Sequence, residues 1–265
     1  MRRTFISLFL VLAFFAGLSA LGWYFVRDVI RRQPEYQLHA DNVVVSPAPD
    51  WVPKRFVEDV LQHSGLHQTG SLLDKTLSQK LTEAFAAYPW VESVDRVVPR
   101  YPSGADVKLS YRVPVALVEG PQRGIFLVDR NGVLLPPEFL LNATPEQRPK
   151  YLVIQGIQSM PLGTVGASWG NPMVHTAAQL AEALSDSAEP LNLARIIPGI
   201  ETLPSGTRIV CRLRTAGGTE IHWGAFVPND PKTETKIKKL WEFQEQFRSL
   251  DNVPATFQPI DLSRE

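Results

Sequence analysis

The stretch VESVDRVVPRYPSGADVKLSYRV, residues 91–113, decides the fold. Its second half alternates Val107, Leu109, Tyr111 and Val113 with Asp106, Lys108, Ser110 and Arg112. A period of two belongs to a strand with one buried and one wet face. Tyr101-Pro-Ser-Gly104 supplies the turn residues. Two strands follow, from Val91 to Arg100 and from Asp106 to Val113. Upstream, Leu73, Leu77, Leu81, Ala84 and Phe85 recur at helical spacing, a helix from about Leu73 to Tyr88 that Pro89 closes. Before it, Phe56, Val57, Val60 and Leu61 share one face of a shorter helix over Asp50 to His63, with Gly65 suited to its stop. Leu38 to Val45 reads as a strand. Residues 38–113 thus spell strand, helix, helix, strand, strand. Two helices on one face of a three-stranded sheet would bury these stripes.

A second unit runs from residue 114 to 265. Short strands are expected over Val115 to Glu119, Ile125 to Val128 and Val133 to Leu135. Asp129-Arg-Asn-Gly132 is a hairpin signal, because Asn-Gly accepts the positive φ of such turns. Pro136 to Pro149 reads as loop, and strands follow at Tyr151 to Ile154 and Leu193 to Ile197. Between them Asn171-Pro172 opens a helix in cap-then-proline order. Arg208 to Arg214 and Glu220 to Trp223 form a hairpin across Gly217-Gly218. Asp230-Pro231 opens the longest soluble helix, to about Leu250, with Ile237, Leu240, Trp241 and Phe247 inward. Thr256 to Leu262 is the last strand.

At the other end of the chain, Arg2 and Arg3 precede an apolar run over residues 5–26, with Trp23 and Tyr24 near its far end and Arg27, Arg31 and Arg32 after it. About 20 apolar residues cross a bilayer as a helix, and interfacial aromatics mark its ends. A cleaved signal peptide competes, with Ala20-Leu21-Gly22 as a cleavage site, but the run exceeds the usual 7–15-residue signal core. The sequence reading is therefore α+β: a cytoplasmic tail (1–4), a transmembrane helix (5–26), a linker (27–37), the β-α-α-β-β unit (38–113) and a mixed β domain with packed helices (114–265). A short tail most simply stays in the cytoplasm, which puts the large part outside.

With 27 basic and 27 acidic side chains the net charge is zero, which argues against a general nucleic-acid binder. Cys211 is the only cysteine, so an internal disulfide and a multi-thiolate zinc site are excluded. The sequence holds no Gly-rich phosphate loop, no Gly-x-Ser-x-Gly elbow and no His-Glu-x-x-His. His63 and His67 are four apart, but Gly65 between them breaks a helix, so two loop histidines are expected. Cys211 alternates with Ile209 and Leu213 and reads as core. Asp129 reads as a turn residue, Trp223 as core or interface, and Arg208, Arg212 and Arg214 as a solvated strand face. No catalytic, cofactor-binding or metal-binding residue, and no small-molecule substrate, is expected.

The β-α-α-β-β unit resembles a POTRA domain, a small module that contacts polypeptides in bacterial envelopes. Tyr88-Pro-Trp-Val91, Val94, Pro99-Arg-Tyr-Pro102, Val107-Lys-Leu109 and Arg112-Val-Pro-Val-Ala116 resemble the FtsQ/DivIB cell-division family. Leu127-Val-Asp-Arg-Asn-Gly-Val133, Leu152-Val-Ile-Gln-Gly156, Glu220-Ile-His-Trp-Gly224, the lysines from Lys232 to Lys239 and Ile260-Asp-Leu262 follow in that family's order. The resemblance implies a non-catalytic, single-span protein of the inner membrane. Its C-terminal part would lie on the periplasmic side at the division septum, linking divisome proteins and helping control septal peptidoglycan synthesis. Its implied partners are the small coiled-coil proteins FtsB and FtsL. Family members usually continue into a further strand whose edge takes the FtsB-type partner. Here the sequence ends three residues after Leu262, so the edge formed by Thr256, Phe257, Gln258, Ile260, Asp261 and Leu262 is expected to serve instead. Two other readings are an envelope POTRA protein in export or assembly, and an envelope hydrolase with a carboxylate pair or Ser/His/Asp cluster in a deep pocket.

Overall fold

Alternation over residues 91–113 produces the expected antiparallel pair. In the computed structural model, which describes residues 12–24, 33–138, 150–204 and 206–263, strand β2 (Val91–Arg100) pairs with β3 (Gly104–Tyr111). Strand β1 (Val43–Val45) joins β3 in parallel, giving the order β1-β3-β2. This sheet belongs to the first of two compact units, Met1–Tyr111 and Arg112–Glu265.

A parallel partner requires a crossover, and here it is helical: α2 (Phe56–His63), α3 (Leu66–Thr69) and α4 (Leu77–Ala86). Gly65 at φ 71° ends α2 and permits α3 to start in a new direction. Leu77, Leu81 and Phe85 of α4 are fully buried, and Phe56, Val60 and Leu61 of α2 and Val43, Val91, Ala105, Val107 and Leu109 of the sheet are buried with them. Phe56 stands at the centre, 6.3 Å from the Phe85 ring and 5.8 Å from that of Tyr111. Burying each such side chain contributes about 1.5–3 kcal/mol.

The expectation of a transmembrane helix over 5–26 is corrected. Residues 12–24 are helical (α1), and among the described residues no helix is long and apolar enough to cross a membrane. At 1.5 Å per residue the described residues of α1 cover roughly 20 Å, short of the ~30 Å hydrocarbon core. The rest of the expected span, residues 5–11 and 25–26, lies outside the described residues. So do the tail 1–4, most of the Pro136 to Pro149 loop, and most of the 27–37 linker.

The second unit is built on one eight-stranded mixed sheet, ordered β11-β10-β9-β8-β7-β4-β5-β6. Its strands are β4 (Pro114–Glu119), β5 (Ile125–Asp129), β6 (Leu134–Leu135), β7 (Leu152–Ile154), β8 (Leu193–Leu203), β9 (Gly206–Thr215), β10 (Glu220–Ala225) and β11 (Ile260–Asp261). Its helices are α5 (Pro172–Ala183), α6 (Ser185–Ala188) and α7 (Pro231–Phe247). Asn171 caps α5 by accepting from the Met173 amide at 2.9 Å, ahead of a proline that needs no donor. A single core lies between the helices and one sheet face. It takes Ala177, Leu180, Ala181 and Leu184 from α5 and its end, Leu240 from α7, and Ile154, Ile196, Leu213, Ile221 and Trp223 from the strands.

Asp129 does more than shape its turn. Its Oδ1 accepts from the Asn131 amide at 2.9 Å and the Val133 amide at 2.8 Å, and its Oδ2 accepts from Arg112 Nη1 at 2.7 Å. One buried carboxylate thus joins the first residue of this unit to the β5–β6 hairpin.

Candidate functional site

The expected site lies at one end of the eight-stranded sheet, where β11 is the terminal strand. β11 runs parallel to β10, with Ile260 opposite Ile221 and Asp261 opposite His222. The Leu262 amide donates to the His222 carbonyl at 2.8 Å. In this parallel ladder His222 is bonded by the residues flanking Asp261, so the main-chain groups of Asp261 itself point away from β10. Ile260 and Leu262 are each 2% exposed and anchor the strand in the core, while Asp261 is exposed.

The strand expected over Thr256 to Leu262 is shorter than that. Thr256 and Phe257 lie in a 3-10 turn, Ala255–Phe257. The Gln258 side chain donates to the Val253 carbonyl at 2.7 Å, which fixes the turn instead of extending the strand. Phe257 is exposed, with its ring 6.1 Å from that of Phe247. Of the six expected site residues, β11 therefore holds Ile260 and Asp261, with Leu262 following it and bonded through its amide to His222, and the Asp261 side chain faces outward between two that face in.

Beside β11 is a hollow of about 230 Å³, lined among others by Arg208, Trp223, Lys232, Lys236 and Ser263. Asp230 caps α7 by accepting from the Lys232 amide at 3.0 Å, and so sets Lys232 and Lys236 on successive turns above β10. Lys236 is only 5% exposed. Its ammonium donates to the Trp223 carbonyl at 2.6 Å and lies 5.3 Å from the Trp223 ring centroid. Both contacts stabilise a buried cation. Arg208 pairs with Glu201 at 2.7 Å. A strand edge can take an extended polypeptide by main-chain bonding, and the hollow beside it is walled by both signs of charge, Arg208, Lys232 and Lys236 together with Asp230.

A second carboxylate holds the neighbouring turn. Asp251, after α7, accepts from the Thr215 hydroxyl and from Asn192 Nδ2 at 2.8 Å. Burial raises its carboxyl pKa, but bonds from Thr215, Asn192, Thr219 and the Gly217 amide outweigh that and hold it below its ordinary value. Arg214 likewise holds Glu220 low through a hydrogen bond across β9 and β10.

The other residues that the sequence singles out are structural in their contacts. The His63 ring meets the Asp59 carbonyl at 2.6 Å and the His67 ring the Leu61 carbonyl at 3.3 Å. Cys211 is 1% exposed, and burial pushes its thiol up to about 12. Trp223 is core. Arg212 stands opposite His222 on the sheet face away from the helices. The hollow went unread in the sequence because Arg208 and Trp223 are brought together by strand pairing and Lys236 by the packing of α7 over the sheet, and not by any local pattern. No family model matches this sequence, and no curated protein matches it.

Proposed function

We propose that this chain is a non-catalytic scaffold of the bacterial cell-division machinery, of the FtsQ/DivIB type. Its second unit receives an extended segment of a small FtsB- or FtsL-type partner along β11. In doing so it links division proteins on the periplasmic side of the inner membrane, at the septum, and helps control septal peptidoglycan synthesis. The observation that carries this reading is the terminal position of β11 beside the hollow of Arg208, Lys232 and Lys236. Polypeptide addition at such an edge needs no cofactor and no reacting group. The order of the motifs agrees with it: Glu220-Ile-His-Trp-Gly224 forms most of β10, the lysines open α7, and Ile260-Asp-Leu262 spans β11.

A fluorescent fusion of the full chain, followed through the cell cycle and combined with depletion, tests the proposal. The expected result is a band at midcell and filamentous cells on depletion. A uniform signal with normal division on depletion overturns it.

A further inference from the structure

In the first unit, the sheet face turned away from α2 and α4 has no covering element among the described residues. It forms a shallow hollow of about 450 Å³ lined by Val44, Ser46, Arg96, Val98, Asp106 and Lys108 among others. The register sets Val44 and Val98 on either side of Asp106. Val44 is 51% and Val98 36% exposed, so two β-branched side chains stand in water at the centre of the face. Asp106 is engaged by Arg100 at 3.4 Å.

One step along the strands, Arg96 lies directly opposite Lys108. Like charges in that position repel and destabilise the pair of strands. Neither side chain has an ion-pair partner among the described residues. A carboxylate placed between them removes the repulsion and adds two charge-assisted bonds.

We propose that this face docks an acidic segment of a partner polypeptide. A carboxylate of the partner sits between Arg96 and Lys108, and its flanking apolar side chains cover Val44 and Val98. The proposal rests on a different unit and different residues from the β11 edge, and it stands whether or not the division reading holds.

The probe is a capped nine-residue peptide alternating valine and glutamate, with a valine–lysine peptide of the same length as its control. Each is titrated into the isotope-labelled full chain while backbone amide signals are recorded. The expected result is movement of the amides of Val44, Arg96, Val98 and Lys108 with the glutamate peptide only, weakening as salt is raised. The double variant Arg96→Glu with Lys108→Glu is expected to bind about tenfold more weakly, with thermal unfolding unchanged. The single variant Lys108→Gln gives an intermediate loss and serves if the double variant does not fold. Equal binding of the two peptides, no movement at millimolar peptide, or movement confined to other residues overturns the proposal. So does binding of anionic lipid vesicles through this face in preference to the glutamate peptide.

Discussion

Replacing Asp129 by alanine takes away an acceptor that holds three donors at once. The carboxylate is 1% exposed and receives the Asn131 amide at 2.9 Å, the Val133 amide at 2.8 Å and Arg112 Nη1 at 2.7 Å. A hydrogen bond to a charged acceptor is worth about 1.5–3 kcal/mol, and a buried donor left without an acceptor costs about as much. Truncating one partner of a fully buried ion pair costs about 3–5 kcal/mol. The Arg112 side chain keeps 16% exposure, so the lower end applies. The three bonds share one carboxylate and do not add independently, which brings the expected loss to about 4 kcal/mol. Asp129→Asn retains an oxygen for the two amides and loses the charge, for about 2 kcal/mol. Both are large fractions of a typical stability of about 5–15 kcal/mol. In urea unfolding, a slope of about 2 kcal/mol/M turns 4 kcal/mol into a midpoint lower by roughly 2 M. Hydrogen exchange at Val133 localises the effect. A midpoint within about 0.3 M of the parent for Asp129→Ala, with Val133 still protected, would refute the reasoning.

Asp251 gives a pH-dependent case. Its folded pKa lies below the unfolded value, so its contribution is full above about pH 5 and is lost as pH falls through the folded pKa. Asp251→Asn is expected to cost about 1–2 kcal/mol at pH 7 and to lose less stability than the parent between pH 5 and 2 in matched urea titrations. Parallel acid limbs would contradict this. Gly217→Ala would set a methyl 2.3 Å from the Asp251 carboxyl carbon, and a loss of about 1–3 kcal/mol is expected in the same assay. Cys211, buried with its thiol pushed up to about 12, is expected to resist an aromatic disulfide reagent at pH 8 in the native chain and to react once the chain is unfolded in urea. Rapid labelling of the native chain would place that thiol at the surface.

Where alternation or helical spacing is set by the core, residue patterns carried the fold. β2 runs over the expected Val91 to Arg100, and Leu77, Leu81 and Phe85 form the buried stripe of α4. The misreadings fall where apolar residues are buried without regular structure. Leu38 is 3% exposed, yet it lies ahead of β1 and bonds from its amide to the Gly70 carbonyl at 3.0 Å. Val52 is 4% exposed in the turn before α2, which begins at Phe56 and not at Asp50. Trp241, expected inward, is 37% exposed, because Leu240 beside it occupies the core position. Pro198 and Gly199 look like breakers, yet β8 continues through them to Leu203. β7 pairs with β8 only as far as Ile196, and a proline is tolerated on a strand whose neighbour has stopped. The candidate edge was legible as Ile260-Asp-Leu262. Its surroundings were not, since they depend on which strands neighbour one another. The apolar run over 5–26 shows the reverse error: a composition that satisfies a length rule, with a described helix of only residues 12–24.

The central claim is that a partner strand adds along β11, and one substitution isolates it. Asp261→Pro removes an amide that points away from β10, while the bond from the Leu262 amide to His222 at 2.8 Å is left in place. Co-purification of an FtsB-type partner with the full chain is compared for the parent, Asp261→Pro and Asp261→Ala. The expected result is retention by Asp261→Ala and loss by Asp261→Pro of about tenfold or more, with the unfolding midpoint of Asp261→Pro matching that of Asp261→Ala, since both lose the carboxylate that accepts from the Ser263 amide and hydroxyl. Undiminished capture of the partner by Asp261→Pro would contradict the account.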